Sequence, residues 1–202
     1  MIDLRRLAVL AVAGAAAVVA LLLAQSSGGG DEPATVQVRP AEVIETEGAA
    51  AEDGALAPDF EASTFSGERL RLSDYRGKAV VLNFWATWCT SCLAEIPELE
   101  RVSQELSDEG LVVLGVNVAD DMGRAERFLR DELGATYASV LDPKQTIAKA
   151  YRAPGLPVTV FIAPSGRIEK VIVGGIGYET FDRFALSPSE RRTCPPWTSH
   201  CP

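Results

Sequence analysis

Apolar residues run almost without interruption through residues 79–86 (Ala-Val-Val-Leu-Asn-Phe-Trp-Ala) and 111–117 (Leu-Val-Val-Leu-Gly-Val-Asn). Runs of this length bounded by polar turns read as strands buried on both faces. Residues 90–106 have a different rhythm, with Leu93, Ile96, Leu99, Val102 and Leu106 at helical spacing. Pro97 falls inside that stripe, which continues past it, so a kink is predicted there and not an end. Residues 122–133 form a second helix stopped by Gly134, and residues 139–141 a short strand. Asp142-Pro143 supplies an N-cap followed by proline at the first helical position, opening a helix that reaches Tyr151. Residues 158–163 and 168–173 pair across Pro164-Ser165-Gly166, and a short last helix covers residues 178–186. Upstream, residues 60–63 and 68–72 flank Ser66-Gly67 as a small hairpin. Strands that alternate with helices and close on a hairpin predict an α/β sandwich: a mixed central sheet flanked by helices, with an N-terminal β-hairpin extension.

The pattern changes before Pro58. Residues 7–24 carry no charge and follow Arg5-Arg6. As a helix these 18 residues span roughly 27 Å, just short of a hydrocarbon core of about 30 Å. Residues 1–24 therefore read as a signal anchor, with the arginines on the cytoplasmic side and the rest of the chain outside it. A signal peptide cleaved near Ala24-Gln25-Ser26 is the competing reading, and it would make the protein secreted. The apolar run exceeds the usual signal-peptide core of about 7–15 residues, which favours the anchor. Residues 25–57 hold seven acids against Arg39 alone and show no sustained apolar period. They read as a flexible acidic linker, with Val36, Val38, Val43 and Ile44 leaving room for a short strand. The predicted organisation is an anchor (1–24), the linker (25–57), a folded domain (58–186) and an irregular tail rich in Cys and Pro (187–202). The formal net charge is −9, and no basic footprint exists that would suit nucleic acid.

Candidate chemistry sits where the first buried strand gives way to the long helix, at Trp88-Cys89-Thr90-Ser91-Cys92. Cys89 at a helix N-terminus gains from unpaired N–H groups and the macrodipole, both of which favour a thiolate. The thiolate is the attacking species in disulfide exchange. Cys92, one turn on, is placed to resolve the mixed disulfide. The dithiol would itself carry the two electrons, so no cofactor and no metal are expected. Glu95 lies three residues past Cys92, where side chains on a helix approach to about 5–6 Å. It is the candidate proton partner of Cys92, and a solvated acid near a helix start is the plainer alternative.

Together, residues 83–92 (Asn-Phe-Trp-Ala-Thr-Trp-Cys-Thr-Ser-Cys), Glu95-Ile96-Pro97 and Gly155-Leu156-Pro157-Val158-Thr159 resemble the thioredoxin-like superfamily. The resemblance is to its membrane-anchored branch of TlpA/ResA/CcmG-like thiol:disulfide oxidoreductases and runs from about Pro58 to Tyr178. It implies a cis peptide bond before Pro157 and a redox-active Cys89–Cys92 disulfide. Trp88, Leu156 and Pro157 are then the substrate-contacting residues, and Trp85 is packing. ResA-like proteins have an active-site glutamate at the spacing of Glu95, and Asn83 stands where cytosolic thioredoxin has a buried, titratable aspartate. The branch also implies protein thiol/disulfide substrates, apocytochrome c among them, with electrons supplied by a membrane thiol carrier.

Two other uses of the cysteines stay open on sequence alone. Cys89, Cys92, Cys194 and Cys201, with His200 nearby, could supply four zinc ligands. Alternatively the Cys89/Cys92 pair is a structural bridge in a tethered binding module. A structural bridge should have a reduction potential below about −300 mV, and an exchange catalyst one well above it. Cys194 and Cys201 enclose Pro-Pro-Trp-Thr-Ser-His, a loop size that permits a second disulfide. Leu93 follows the pair where haem attachment needs histidine, and the domain has no histidine for a catalytic triad.

Overall fold

The computed structural model describes residues 40–44 and 51–184. Their strands are β1 (Glu42–Ile44), β2 (Asp59–Ser63), β3 (Arg69–Arg71), β4 (Ala79–Trp85), β5 (Leu111–Val118), β6 (Ala138–Asp142), β7 (Val158–Ile162) and β8 (Ile168–Val173). The helices are α1 (Thr90–Leu106), α2 (Met122–Arg127), α3 (Thr146–Ala150) and α4 (Tyr178–Phe184). Strands β1, β2 and β3 form a small antiparallel sheet. The other five lie in the order β6-β5-β4-β7-β8, parallel on the β6-β5-β4 side and antiparallel on the β4-β7-β8 side. This is the mixed sheet and hairpin extension expected from the sequence, and the fold is thioredoxin-like.

Strand β4 is buried along its whole length, and its alternation divides the two cores. Val81 and Trp85 face the core built on Ile96, Leu99 and Val102 of α1, Leu129 just past α2, and Phe181 of α4. Val80, Leu82 and Phe84 face the other, with Phe60, Leu72, Ile147 and Tyr151. Period two then assigns Asn83 to the α1 face, between Val81 and Trp85. By the same rule Thr159 of β7 shares the face of Phe161, again toward α1. Two polar side chains are thus brought under the long helix by strand register, since Asn83 and Thr159 are direct partners across β4 and β7. Gly115 of β5 has to lack a side chain, because a Cβ there would come within 2.6 Å of Ser139 Oγ. That hydroxyl accepts the hydrogen bond of the buried Trp85 indole (3.2 Å), so Trp85 is packing, as expected.

Two expectations change. Residues 51–57 are not linker but part of the folded body. Ala51 and Ala57 are buried, Leu56 bridges Arg167, and Gly54 N–H donates to the Ile168 carbonyl at 2.7 Å. Asp53 accepts from Val171 N–H and Lys170 along β8. Their acidic composition suggested solvent, but pairing with a strand more than a hundred residues away decided their place. The hairpin also gains a third strand, β1, at Val43 and Ile44, where the sequence leaves room for one. Finally, Asp142 does not cap a helix starting at Pro143. It ends β6, a turn follows, and its carboxylate reaches forward to Thr146 N–H (2.7 Å) and Ala148 N–H (2.9 Å) at the start of α3. Helix α1 runs through Pro97 without ending. Among the described residues no helix is long and apolar enough to cross a membrane. The run at 7–24 and the tail from residue 185 lie outside them.

Candidate active site

Strand β4 ends at Trp85, and α1 begins at Thr90 after four intervening residues, so the cysteines stand on the edge between sheet and helix. Cys89 is the N-cap: its backbone is extended and its Sγ accepts from Cys92 N–H at 3.2 Å. That is the geometry in which a helix start stabilises sulfur anion. Cys89 and Cys92 are joined to each other by a disulfide with their Cα atoms 5.3 Å apart. The two sulfur residues are unequal: Cys89 is 7% exposed and Cys92 wholly enclosed. Trp88 beside them is 59% exposed, the most open tryptophan among the described residues. The turn leading to Cys89 is fastened by Asp120, which accepts from Thr87 N–H (2.7 Å), Thr87 Oγ1 (2.8 Å) and Asn117 Nδ2 (3.0 Å).

The Leu156–Pro157 peptide bond is cis, as the resemblance implied. The Pro157 carbonyl accepts from Gly174 N–H (2.9 Å), which ties this turn to the end of β8. Leu156 is half-buried against the core cluster that contains both cysteines.

Glu95 is not a solvated acid. It is 2% exposed, and two donors hold it: Asn83 Nδ2 to Oε1 at 2.7 Å and Ile176 N–H to Oε2 at 3.0 Å. Burial pushes its carboxyl above the ordinary glutamate range, and the two hydrogen bonds only partly oppose that. A buried carboxyl one turn past an enclosed cysteine, and more easily protonated than usual, is suited to take up or give a proton.

The residues that hold Glu95 were not all visible beforehand. Asn83 entered the sequence reading only as a side chain that cannot titrate. Thr159, which accepts from Asn83 at 3.0 Å, entered only as the last residue of the motif around Pro157, and the Ile176 amide did not enter at all. A usable signal existed for the first two, since each is a lone polar residue in an otherwise apolar strand. Asp120 and Thr87 carried no such signal. Cys194, Cys201 and His200 lie outside the described residues, so the second disulfide and the four-cysteine site stay expectations. Within the described residues no group of three or more Cys, His, Asp or Glu side chains is arranged to hold a metal.

Comparison with known proteins agrees with this geometry. The model of the AhpC/TSA family matches residues 54–171. The thiol-disulfide oxidoreductase ResA of Geobacillus kaustophilus is 36% identical over 142 residues, covering 70% of this chain and 81% of that protein. ResA of Bacillus subtilis is 34% identical over 122 residues, covering 60% and 68%. Among solved structures, a thioredoxin-family thiol:disulfide interchange protein from Chlorobium tepidum superposes with a TM-score of 0.59 at 27% identity, over 66% of this chain and 95% of that one. A secreted thiol-disulfide isomerase from Corynebacterium glutamicum does so with a TM-score of 0.61 at 25% identity, over 73% and 90%.

Proposed function

Since the chain belongs to the AhpC/TSA family of thioredoxin-like proteins and is a ResA-like thiol-disulfide oxidoreductase, we propose that it works as a reductant of protein disulfides outside the cytoplasm. Cys89 is the attacking sulfur. In the reduced protein its thiolate attacks one sulfur of a substrate disulfide, and a mixed disulfide forms as the first substrate thiolate leaves. Cys92 then passes its proton to the Glu95 carboxylate and attacks Cys89 Sγ. The Cys89–Cys92 disulfide forms, and the second substrate thiolate leaves. Two electrons have moved from the protein dithiol to the substrate, and a thiol donor must return them.

The observation that carries this reading is the inequality of the two cysteines: one 7% exposed beside an exposed tryptophan, the other enclosed one turn from a buried carboxyl. A structural staple has no use for either feature. The same inequality supports Cys89 as the sulfur that meets substrate and Cys92 as the one that resolves. Trp88, Leu156 and Pro157 form the contact surface for the substrate chain. The resemblance to ResA supports an apocytochrome c disulfide as client and a membrane thiol carrier as donor. The uncharged run at 7–24 behind Arg5-Arg6 supports a single-pass anchor at the cell membrane with the oxidoreductase domain on the extracytoplasmic side.

Trapping tests the reading directly. A Cys92→Ala variant should accumulate a mixed disulfide through Cys89, visible as a reductant-sensitive mass shift. A Cys89→Ala variant should accumulate none. Equal capture by both variants, or by neither, would remove the assignment. A reduction potential below about −300 mV would instead mark the bridge as structural.

A further inference from the structure

The side chain of Asn83 has a partner arrangement that its position in the core does not require. It is fully buried. Its Nδ2 donates two hydrogen bonds, to Glu95 Oε1 and to Thr159 Oγ1, while its Oδ1 is buried with no partner. An apolar residue would fill the same place without leaving an acceptor stranded, and a stranded acceptor is unfavourable. The amide offers something an apolar residue cannot. Turned as in the structure, it donates to an ionised Glu95. Turned by half a revolution about its last side-chain bond, it places Oδ1 where Nδ2 was. There the oxygen can accept both the proton of a neutral Glu95 and the hydroxyl hydrogen of Thr159.

We propose that Asn83 is a positioning residue that serves both protonation states of Glu95 by reversing its amide, with Thr159 as the third member of the switch. The inference rests on the reading of Glu95 as proton carrier and adds how the carrier is kept in place while its charge changes. Its geometry also says where the signal goes. Thr159 lies on β7, two residues beyond Pro157, so the hydroxyl reverses its donor role next to the turn that meets substrate. The groups facing Glu95 are few. Asn83 comes from β4, Thr159 stands behind Asn83 on β7, and the Ile176 amide closes the far side. On α1 itself stand Cys92 and, at the cap, Cys89. Among the described residues, Tyr137, just before β6, is a further ionisable side chain that senses the Glu95 charge.

The test is a pH titration of the oxidised full-length protein followed by NMR. Both the Glu95 side-chain carboxyl carbon and the Asn83 side-chain amide nitrogen and protons are observed. The expected result is that the Asn83 signals move with the same midpoint as the Glu95 carboxyl, and that Glu95→Gln abolishes the movement. Asn83→Leu should leave Glu95 titrating but shift its midpoint upward, because the donor to the ionised form is gone. Asn83→Gln should restore part of the shift if it folds. Glu95 titrating while the Asn83 amide stays still would overturn the inference and leave the proton-carrier reading standing. Failure of Glu95 to titrate at all would overturn both. Thr159→Val provides an independent reading, since it keeps the core volume. It should weaken the response of the Leu156–Val158 amides to pH without moving the Glu95 midpoint by more than a few tenths, and an undiminished response would remove Thr159 from the switch.

Discussion

Helix α1 carries two buried carboxylates five residues apart, and they have opposite fates. Glu95 is 2% exposed and Glu100 8%. Glu95 accepts from two donors. Glu100 accepts from four: Thr136 Oγ1, Thr136 N–H and Gln104 Nε2, all at 2.6 Å, and Tyr137 N–H at 3.4 Å. Burial pushes both carboxyls upward. At Glu95 burial prevails, whereas at Glu100 the bonds from Thr136, Gln104 and Tyr137 together overcome it and pull the carboxyl below the ordinary range. The number of donors, not burial alone, decides whether an enclosed carboxyl holds its proton less tightly or more tightly than usual. One end of the helix therefore holds a chemical group and the other a structural tie to the segment before β6. Tyr137 lies within reach of both charges. Burial first, then Glu100 and Glu95, push its phenol far upward, so it stays protonated.

The largest test of this contrast removes the charge at the chemical end. Glu95→Gln should slow resolution of the mixed disulfide by about 100-fold, at the lower end of what general acid–base groups contribute. Its rate should also lose the pH dependence of the native protein. Stopped-flow reduction of a model protein disulfide reads both, and an unchanged profile would end the distinction between the two glutamates. Next comes the structural end. Glu100→Ala strands the N–H groups of Thr136 and Tyr137 and should destabilise the fold by about 2–3 kcal/mol in chemical denaturation. The reduction potential of the folded protein should stay where it was. Thr136→Val removes one donor of the four, so a loss of about 1 kcal/mol is expected, together with a rise in the Glu100 midpoint by NMR.

The smallest effects are the pH slopes, which should have opposite signs. Glu95 binds its proton more tightly when folded than unfolded. Its contribution is therefore most favourable below the ordinary value of 4.5 and falls away as pH rises through its elevated folded value. Glu100 binds its proton less tightly when folded. Its stabilisation is complete above 4.5 and is lost as pH falls through its depressed folded value. Subtracting the denaturation profile of each variant (Glu95→Gln, Glu100→Ala) from that of the native protein should show slopes of opposite sign on the two sides of that pH. Slopes of the same sign would break the comparison.

Much of the redox site could be read along the chain because its parts are local. Cys89 and Cys92 are close because a helix start separates them by one turn, and α1 and β4 follow from apolar period. The tie of Glu95 could not be read so. Its partners come from β4 and from the loop after β8, brought together by the pairing of β4 with β7 and the return of the chain after β8. The same limit explains the boundary error at residues 51–57. Their acidic, glycine-containing composition matches a linker, and only the distant partners Arg167, Ile168, Lys170 and Val171 give them a place. Asp142 does not cap a helix opening at Pro143, because a turn intervenes in which Gln145 takes a left-handed backbone conformation (φ 59°), which no sequence pattern announced.

From the sequence alone came the alternation of elements, the thiol pair at a helix start and the presence of a carboxyl one turn further on. Each is a matter of spacing within a single element or between neighbours. Only the tertiary structure decided that this carboxyl is enclosed, that two donors hold it where four hold its neighbour, and that the amide of Asn83 is one of them. Burial and hydrogen-bond supply depend on which strands lie side by side, and those contacts join residues far apart in the chain.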